Sequence, residues 1–312
     1  MIPSDGPIRI GTRRSKLALA QSGMMQRAVA AAAGLAPERV ELVQIVTTGD
    51  RVQDRRLLEI GGKALFTKEI EEALLDGRID LAVHSMKDVP AEQPPGLTIG
   101  AAPEREDPRD AFIGRNAETF DDLPPGAVLG TASLRRQAQA LALRPDLKIE
   151  MLRGNVDTRL KRLQDGDFDA ILLATAGLSR LGLAGVIGER LSPDAFLSAP
   201  GQGALALQCR AEDADAPWLT ALNHADTALC VAAERGAMTA LEGSCRTAIG
   251  ALGVIAEGRL RLTVEMLAPD GSARWRRAGE IAAAAGPDAA RDLGLSLGQA
   301  VRDEAGDQRI SL

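Results

Sequence analysis

Through its first two thirds the chain alternates short apolar runs with longer helical patterns, and that rhythm admits few folds. Residues 8–11 read as a strand entering a turn. Ser15 is placed to cap a long Ala/Leu/Met helix that stops near Gly34. Residues 40–46 are strand-like, and Thr67 is placed to cap a helix that carries Ile70, Ala73 and Leu74 on one face and halts at Gly77. Further strand patterns lie at 80–83, 127–130, 148–152 and 170–174, most of them followed by a helical pattern. Such alternation predicts βα units, a largely parallel sheet and an α/β fold class.

The last third changes period. Residues 231–241 are helical, and 249–255, 260–266 and 273–281 read as strands, with Leu260, Leu262, Val264 and Met266 alternating on one face. An amphipathic helix follows at 288–304. A unit of this kind, about 90 residues long, is large enough for a small α+β domain. There is also an internal echo. Gly11-Thr-Arg-Arg-Ser15 and Gly130-Thr-Ala-Ser133-Leu-Arg-Arg both end a strand in Gly-Thr and open a helix with Ser. The echo predicts two similar α/β domains ahead of the third.

In open α/β sheets, ligands sit beyond the carboxyl ends of the strands, and charged residues gather there in this chain. Arg13 and Ser15 follow the first strand, Asp50 and Arg51 the second, and His84-Ser85-Met-Lys87-Asp88 the third. Thr131, Ser133, Arg135 and Arg136 follow the fourth, Arg153, Asn155 and Arg159 the fifth, and Arg180 comes after the sixth. Arginine pairs with carboxylates and phosphates through two parallel bonds, and helix N-termini at Ser15 and Ser133 add backbone donors for anions. The predicted ligand is a small polyanion, in a chain whose own net charge is −6. Asp88 is the exception in sign, a carboxylate among cations that stays ionised. It is open to a structural role as a salt-bridged or capping residue and to a functional one as a stabiliser of positive charge.

Other classes lose ground. Five Phe, two Trp and no Tyr offer few stacking platforms for nucleic acid, and no apolar run approaches a membrane span. Two histidines, His84 and His224, are too few for a His-rich metal site; His84 reads as a structural hydrogen-bonder. Gly61-Gly62-Lys63 lacks the phosphate-loop spacing and reads as a hinge next to a polar stretch able to act as a lid. The N-terminus shows no export signal, so the cytoplasm is expected. Cys209 and Cys230 read as small core residues, whereas Cys245, in a Gly/Ser loop next to Arg246, reads as an accessible thiol.

Eight segments in order resemble one family, hydroxymethylbilane synthase, also called porphobilinogen deaminase. They are Ile10-Gly-Thr-Arg13-Arg-Ser15, Gly61-Gly-Lys-Ala-Leu-Phe66, Val83-His-Ser-Met-Lys-Asp-Val-Pro90, Gly130-Thr-Ala-Ser-Leu-Arg-Arg-Gln137, Leu152-Arg-Gly-Asn-Val156, Ala176-Gly-Leu-Ser-Arg-Leu-Gly182, Ala199-Pro-Gly-Gln-Gly-Ala204 and Leu241-Glu-Gly-Ser-Cys245. Ser244 and Ala248 depart from the family's usual Gly and Pro.

The resemblance implies two domains like those of type II periplasmic binding proteins, at 1–103 with 203–221 and at 104–202, and a C-terminal domain at 222–312. It implies a transferase that deaminates four porphobilinogen units and joins them to a dipyrromethane primer held by Cys245 as a thioether, releasing hydroxymethylbilane. Cofactor contacts would come from Lys63, Ser85, Lys87, Asp88, Thr131, Ser133, Arg135, Arg136, Arg153 and Asn155. Substrate contacts would come from Arg13, Ser15, Phe66, Arg153, Arg159, Arg180 and Gln202, with Asp50, Arg51, Gly61 and Gly62 in a covering loop. Asp88 would hold pyrrole N–H groups and stabilise cationic species. The sequence itself, with no export signal and no long apolar exposed stripe, leads to the expectation of a cytoplasmic monomer without metal, nucleic-acid or membrane partners; the resemblance adds a product passed to a downstream tetrapyrrole enzyme. Two rivals stand beside it: a non-catalytic anion binder of the same fold, and a thiol enzyme using Cys245 directly.

Overall fold

The computed structural model describes residues 6–51, 67–241 and 248–306. In chain order its elements are β1 (Ile8–Thr12), α1 (Lys16–Ala33), β2 (Val40–Gln44), α2 (Thr48–Arg51), α3 (Lys68–Leu75), β3 (Leu81–Ser85), β4 (Leu97–Ala101) and β5 (Asp110–Gly114). Then come β6 (Val128–Gly130), α4 (Leu134–Leu143), β7 (Lys148–Glu150), α5 (Val156–Gln164), β8 (Ala170–Ala174), α6 (Thr175–Arg180), β9 (Glu189–Arg190) and β10 (Leu205–Arg210). The chain closes with α7 (Pro217–Thr220), α8 (Ala225–Ala240), β11 (Ala248–Ala256), β12 (Arg259–Leu267), β13 (Arg274–Ala282) and α9 (Gly286–Ala305). They pack as two units, one running to Glu106 and joined by Ala204–Ala228, the other formed by Asp107–Gly203 with the chain from Leu229 onward.

The first unit is built on a five-stranded sheet of order β2-β1-β3-β10-β4. β1 is parallel to β2 and to β3, and β10 runs antiparallel to both of its neighbours. Along β3, Leu81 and Val83 belong to one apolar cluster and Ala82 to another, so both faces are covered. This explains the unbroken apolar run, since a sheet buried on both sides has no polar face to alternate with. α1 begins as expected, with Ser15 Oγ accepting from the Ala18 amide at 3.2 Å. It ends at Gly34, whose φ of 64° lets its N–H reach back to the Ala30 and Ala31 carbonyls.

Thr67 differs from expectation. It precedes α3 but its hydroxyl makes no capping bond. Its φ of −114° and ψ of −30° are already helical, and a side-chain cap needs an extended residue there. Its backbone carbonyl accepts from Ile70 and Glu71 instead.

In the second unit the sheet order is β7-β6-β8-β5-β9, with β6 parallel to β7 and β8 and β5 antiparallel to β8 and β9. Position by position this is the order of the first sheet. Each sheet has four strands running one way and a single reversed strand next to its third. The echo between Ser15 and Ser133 is therefore a structural repeat, and Ser133 Oγ accepts from the Arg136 amide at 3.4 Å just as Ser15 does from Ala18. The fold is α/β, with a C-terminal α+β portion.

That portion is the antiparallel meander β11-β12-β13. Leu260, Leu262, Val264 and Met266 of β12 point into a cluster shared with α8 and α9. The two helices touch through small residues. A Cβ on Gly294 would collide with the Ala233 carbonyl, and one on Gly298 with the Ala237 carbonyl and the Ala240 methyl. Among the described residues, no helix is long and apolar enough to cross a membrane.

Candidate active site

In the first unit the parallel pairing of β1 and β3, with Gly11 opposite Ala82, brings their carboxyl ends side by side. Arg13 leaves β1 here, and Ser15 starts α1. β3 runs into a short 3-10 turn, Met86–Asp88, which carries Lys87 and Asp88, both half-buried. The turn is pinned from several sides. The Met86 amide donates to the Ala204 carbonyl at 3.0 Å, and the Met86 side chain is buried. Gln21 Nε2 donates to Ser85 Oγ at 3.1 Å.

His84 is buried on the strand, with Nε2 3.0 Å from Gln208 Oε1. Burial lowers its pKa to about 4; the bond to Gln208 and the Asp88 charge push the other way, and Arg13 adds to the lowering. It is the structural hydrogen-bonder that its sequence context predicted. His224 takes a comparable role at the start of α8, with Nδ1 3.0 Å from Thr227 Oγ1.

In the second unit, β7, β6 and β8 lie side by side and parallel, so their following loops share one edge. Thr131 Oγ1 accepts from the Ser133 amide at 3.1 Å, and Asn155 Oδ1 caps α5 through the Thr158 amide at 2.8 Å. Gly154, at φ 114°, turns the chain between Arg153 and Asn155, and its carbonyl accepts from Arg159 Nε at 2.8 Å. Arg180 Nη2 donates to the Gly203 carbonyl at 2.6 Å. Arg153 Nη1 is buried and has no hydrogen-bond partner among the described residues. A buried guanidinium donor left open is costly unless an acceptor arrives.

Arg135 and Arg136 are 5% and 6% exposed, and both grip Asp110, which is 0% exposed at the head of β5. Asp110 Oδ2 accepts from Arg135 Nη1 at 2.6 Å. Its Oδ1 accepts from Arg135 Nη2 at 3.2 Å, Arg136 Nε at 3.0 Å, Arg136 Nη2 at 2.8 Å and Gln202 Nε2 at 2.8 Å. Burial alone would raise the Asp110 pKa, but the two guanidiniums outweigh it and hold the carboxyl well below the usual carboxylate range. Gln202 Nε2 also donates to the Pro108 carbonyl at 2.7 Å.

The polar chain continues from Arg135 Nη1 to Gln139 Oε1 at 2.9 Å, from Gln139 Nε2 to Glu265 Oε1 at 2.6 Å, and to Glu265 Oε2 from Arg276 Nη2 at 2.6 Å. Sequence reading did not find Asp110, Glu265 or Gln139. An acidic residue heading an otherwise apolar strand was the available signal for Asp110.

The site residues Lys63, Phe66, Gly61, Gly62 and Cys245 lie outside the described residues, as do the side chains of Asp50 and Arg51 at the end of α2. The remaining candidates divide between the two strand-end clusters. Arg13, Ser15, Ser85, Lys87 and Asp88 belong to the first, and Thr131, Ser133, Arg153, Asn155, Arg159 and Arg180 to the second. Arg135, Arg136 and Gln202 are the ones held by Asp110.

The family profile described as "Porphobilinogen deaminase, dipyromethane cofactor binding domain" matches residues 8–217, and that described as "Porphobilinogen deaminase, C-terminal domain" matches 228–303. The chain belongs to the porphobilinogen deaminase family. Porphobilinogen deaminase of Caulobacter vibrioides is 61% identical over 314 residues, covering 97% of this chain and 98% of that protein. That of Phenylobacterium zucineum is 61% identical over 316 residues, covering 98% and 99%. A YaeC-family lipoprotein from Enterococcus faecalis is a solved structure similar to this one at 15% identity and a TM-score of 0.43, over 70% of this chain and 90% of that one.

As a porphobilinogen deaminase family enzyme, the chain is a transferase that uses a dipyrromethane cofactor and polymerises porphobilinogen stepwise into hydroxymethylbilane. The residues present fit such a cofactor. The open donor on Arg153, with the N-termini of α4 and α5 beside it on one sheet edge, suits a ligand rich in carboxylates.

Proposed function

We propose that the strand-end residues divide the family reaction into gripping and charge stabilisation. Arg13, Ser15, Arg159 and Arg180 bind carboxylates of the incoming porphobilinogen, with Phe66 against its ring, and Gln202 supports that contact. Lys63, Ser85, Lys87, Thr131, Ser133, Arg153 and Asn155 hold the carboxylates of the dipyrromethane, which Cys245 anchors. When bound, that group would supply the free pyrrole carbon that takes the first unit, and each later unit would join the free pyrrole carbon of the unit added before it. Arg135 and Arg136 set two guanidiniums against the single carboxylate of Asp110, a surplus of positive charge that favours an anionic ligand near α4. Asp88 holds pyrrole N–H groups and stabilises positive charge as ammonia leaves. Asp50, Arg51, Gly61 and Gly62 belong to a covering loop.

The observation that supports this reading is Arg153 Nη1, a buried donor with no hydrogen-bond partner among the described residues, on the sheet edge where the other strand-end cations gather. We also propose that β11–β13 with their helices act as a domain of their own, at 222–312 beside domains at 1–103 with 203–221 and at 104–202. In this reading the enzyme is a cytoplasmic monomer that passes hydroxymethylbilane to a downstream tetrapyrrole enzyme.

The test combines turnover with intact mass. Purified protein should consume porphobilinogen and yield uroporphyrin I after acidification and oxidation. Its mass should exceed the chain mass by about two linked pyrroles, and Cys245→Ser should lack that excess. An unmodified wild-type chain would sink the anchoring role.

A further inference from the structure

Behind the Asp88 turn, four polar side chains are linked, and the binding roles above use none of them. His84 Nε2 faces Gln208 Oε1 at 3.0 Å. Gln208 Nε2 donates to Gln93 Oε1 at 2.9 Å and to Glu71 Oε1 at 3.3 Å. Gln93 Nε2 donates to the Pro90 carbonyl at 3.2 Å. The chain of bonds thus leaves β3 one residue before Ser85 and returns to the backbone two residues beyond Asp88. It closes a ring around the turn that carries Lys87 and Asp88.

The direction of every bond in the ring is fixed. The Pro90 carbonyl can only accept, so the Gln93 amide must present its N–H₂ there and its oxygen to Gln208. Gln208 must then turn its own N–H₂ toward Gln93 and Glu71, which leaves its oxygen for His84. His84 Nε2 is therefore a donor. The neutral ring, kept so by burial that holds its pKa near 4, takes the Nε2–H form. The fold places these groups deliberately: β10 pairs with β3 with Ala206 opposite His84 and Gln208 opposite Ala82, so His84 and Gln208 are diagonal neighbours on one face. The pairing of β10 with β4 shifts register between Leu207 and Gln208, an irregularity of the kind that re-aims a side chain near a site.

We propose that Gln93 and Gln208, acting with His84, are positioning residues that set where Asp88 stands during turnover. The inference rests on the reading of Asp88 given above. A hydrogen-bonded polar ring, buried at His84 and Gln208, resists deformation because a bond broken there leaves a donor or acceptor without water. Asp88, on a three-residue turn already pinned at Met86 and Ser85, takes its rigidity on the far side from that ring.

The test uses the holoenzyme, with intact mass confirming the adduct in each variant. Nitrogen-15 histidine spectra are simple to read here, since the chain has two histidines. Wild-type His84 should show the Nε2–H tautomer and no titration between pH 5.5 and 8. Gln208→Leu should disturb that signature and lower kcat about 10- to 100-fold, with KM within about twofold, as small misplacements of a reacting group do. Gln93→Leu, at a half-buried site and checked for an unchanged unfolding curve, should lower kcat while leaving the His84 tautomer in place. The double variant should be no worse than Gln208→Leu alone. An Nδ1–H tautomer, or wild-type kcat in Gln93→Leu, would overturn the ring. So would loss of the adduct in Gln93→Leu. Asp88→Ala run alongside separates the two ideas: if it is inactive while Gln93→Leu is unimpaired, the ring is wrong and the role of Asp88 stands.

Discussion

Replacing Asp110 by Asn tests the charge arrangement of the second unit most directly. The carboxylate accepts five hydrogen bonds, four on Oδ1 and one on Oδ2. An Asn that keeps its oxygen at Oδ1 saves four of them but sets its N–H₂ against Arg135 Nη1, where the 2.6 Å bond had been. The opposite orientation loses the four. The first is favoured, because Arg135 Nη1 retains Gln139 Oε1 and the Leu197 carbonyl. One charge-assisted bond accounts for about 1.5–3 kcal/mol. The two guanidiniums, buried with no anion, raise the total to about 3–5 kcal/mol.

For a chain of 312 residues that lowers the melting temperature by about 5–8 °C. The assay is thermal and urea unfolding of Asp110→Asn, Arg136→Met and the double variant. The double-mutant cycle should give a coupling above about 1.5 kcal/mol. A single variant within about 1 kcal/mol of wild type, or a coupling below about 0.5 kcal/mol, would refute the account.

Asp88→Ala should lose nearly all porphobilinogen turnover with an unchanged unfolding curve; retained turnover would refute the role given to it. Gly294→Ala should destabilise by about 1–3 kcal/mol in urea unfolding, because the added methyl meets the Ala233 carbonyl of the facing helix. His84 is held neutral by burial, with its pKa lowered to about 4. The unfolded chain binds that proton first, so stability is complete above about pH 6.5 and lost as pH falls toward 4, by about 3 kcal/mol. His84→Gln should flatten that part of the stability profile. Asp110, also depressed, adds stability above the ordinary aspartate pKa of about 3.9 and loses it as pH falls further. Asp110→Asn should therefore be less sensitive to strong acid than wild type.

Much of the fold was legible because its signals are local. Ser15, Ser133 and Gly34 act through bonds to residues three or four away, and β12 alternates because one face alone is buried. The reversed strands were not legible in the same way. β5 and β10 pair with strands that lie far along the chain, which no local pattern reveals. The strand-end cations were visible as a set, but their division of labour was not. Arg135 and Arg153 look alike in sequence. In space, Asp110, 25 residues before Arg135, accepts from it, while Arg153 Nη1 has no acceptor among the described residues. The amide ring behind Asp88 left no pattern at all, since it joins Glu71, His84, Gln93 and Gln208 from four separate segments.

The insertion of β10 between β3 and β4 sets a timetable for biosynthesis. β4 ends at Ala101 and, among the described residues, pairs only with β10, which begins at Leu205. A ribosome adding about 5–20 residues per second keeps the two apart for roughly 5–20 s. During that interval the nascent first unit is half a sheet, with one edge of β3 open and β4 without a neighbour. The second α/β sheet, continuous in sequence from β5 to β9, can form while the first one waits. An open strand edge of this kind is a template for pairing with other chains until Leu205 emerges and β10 covers it.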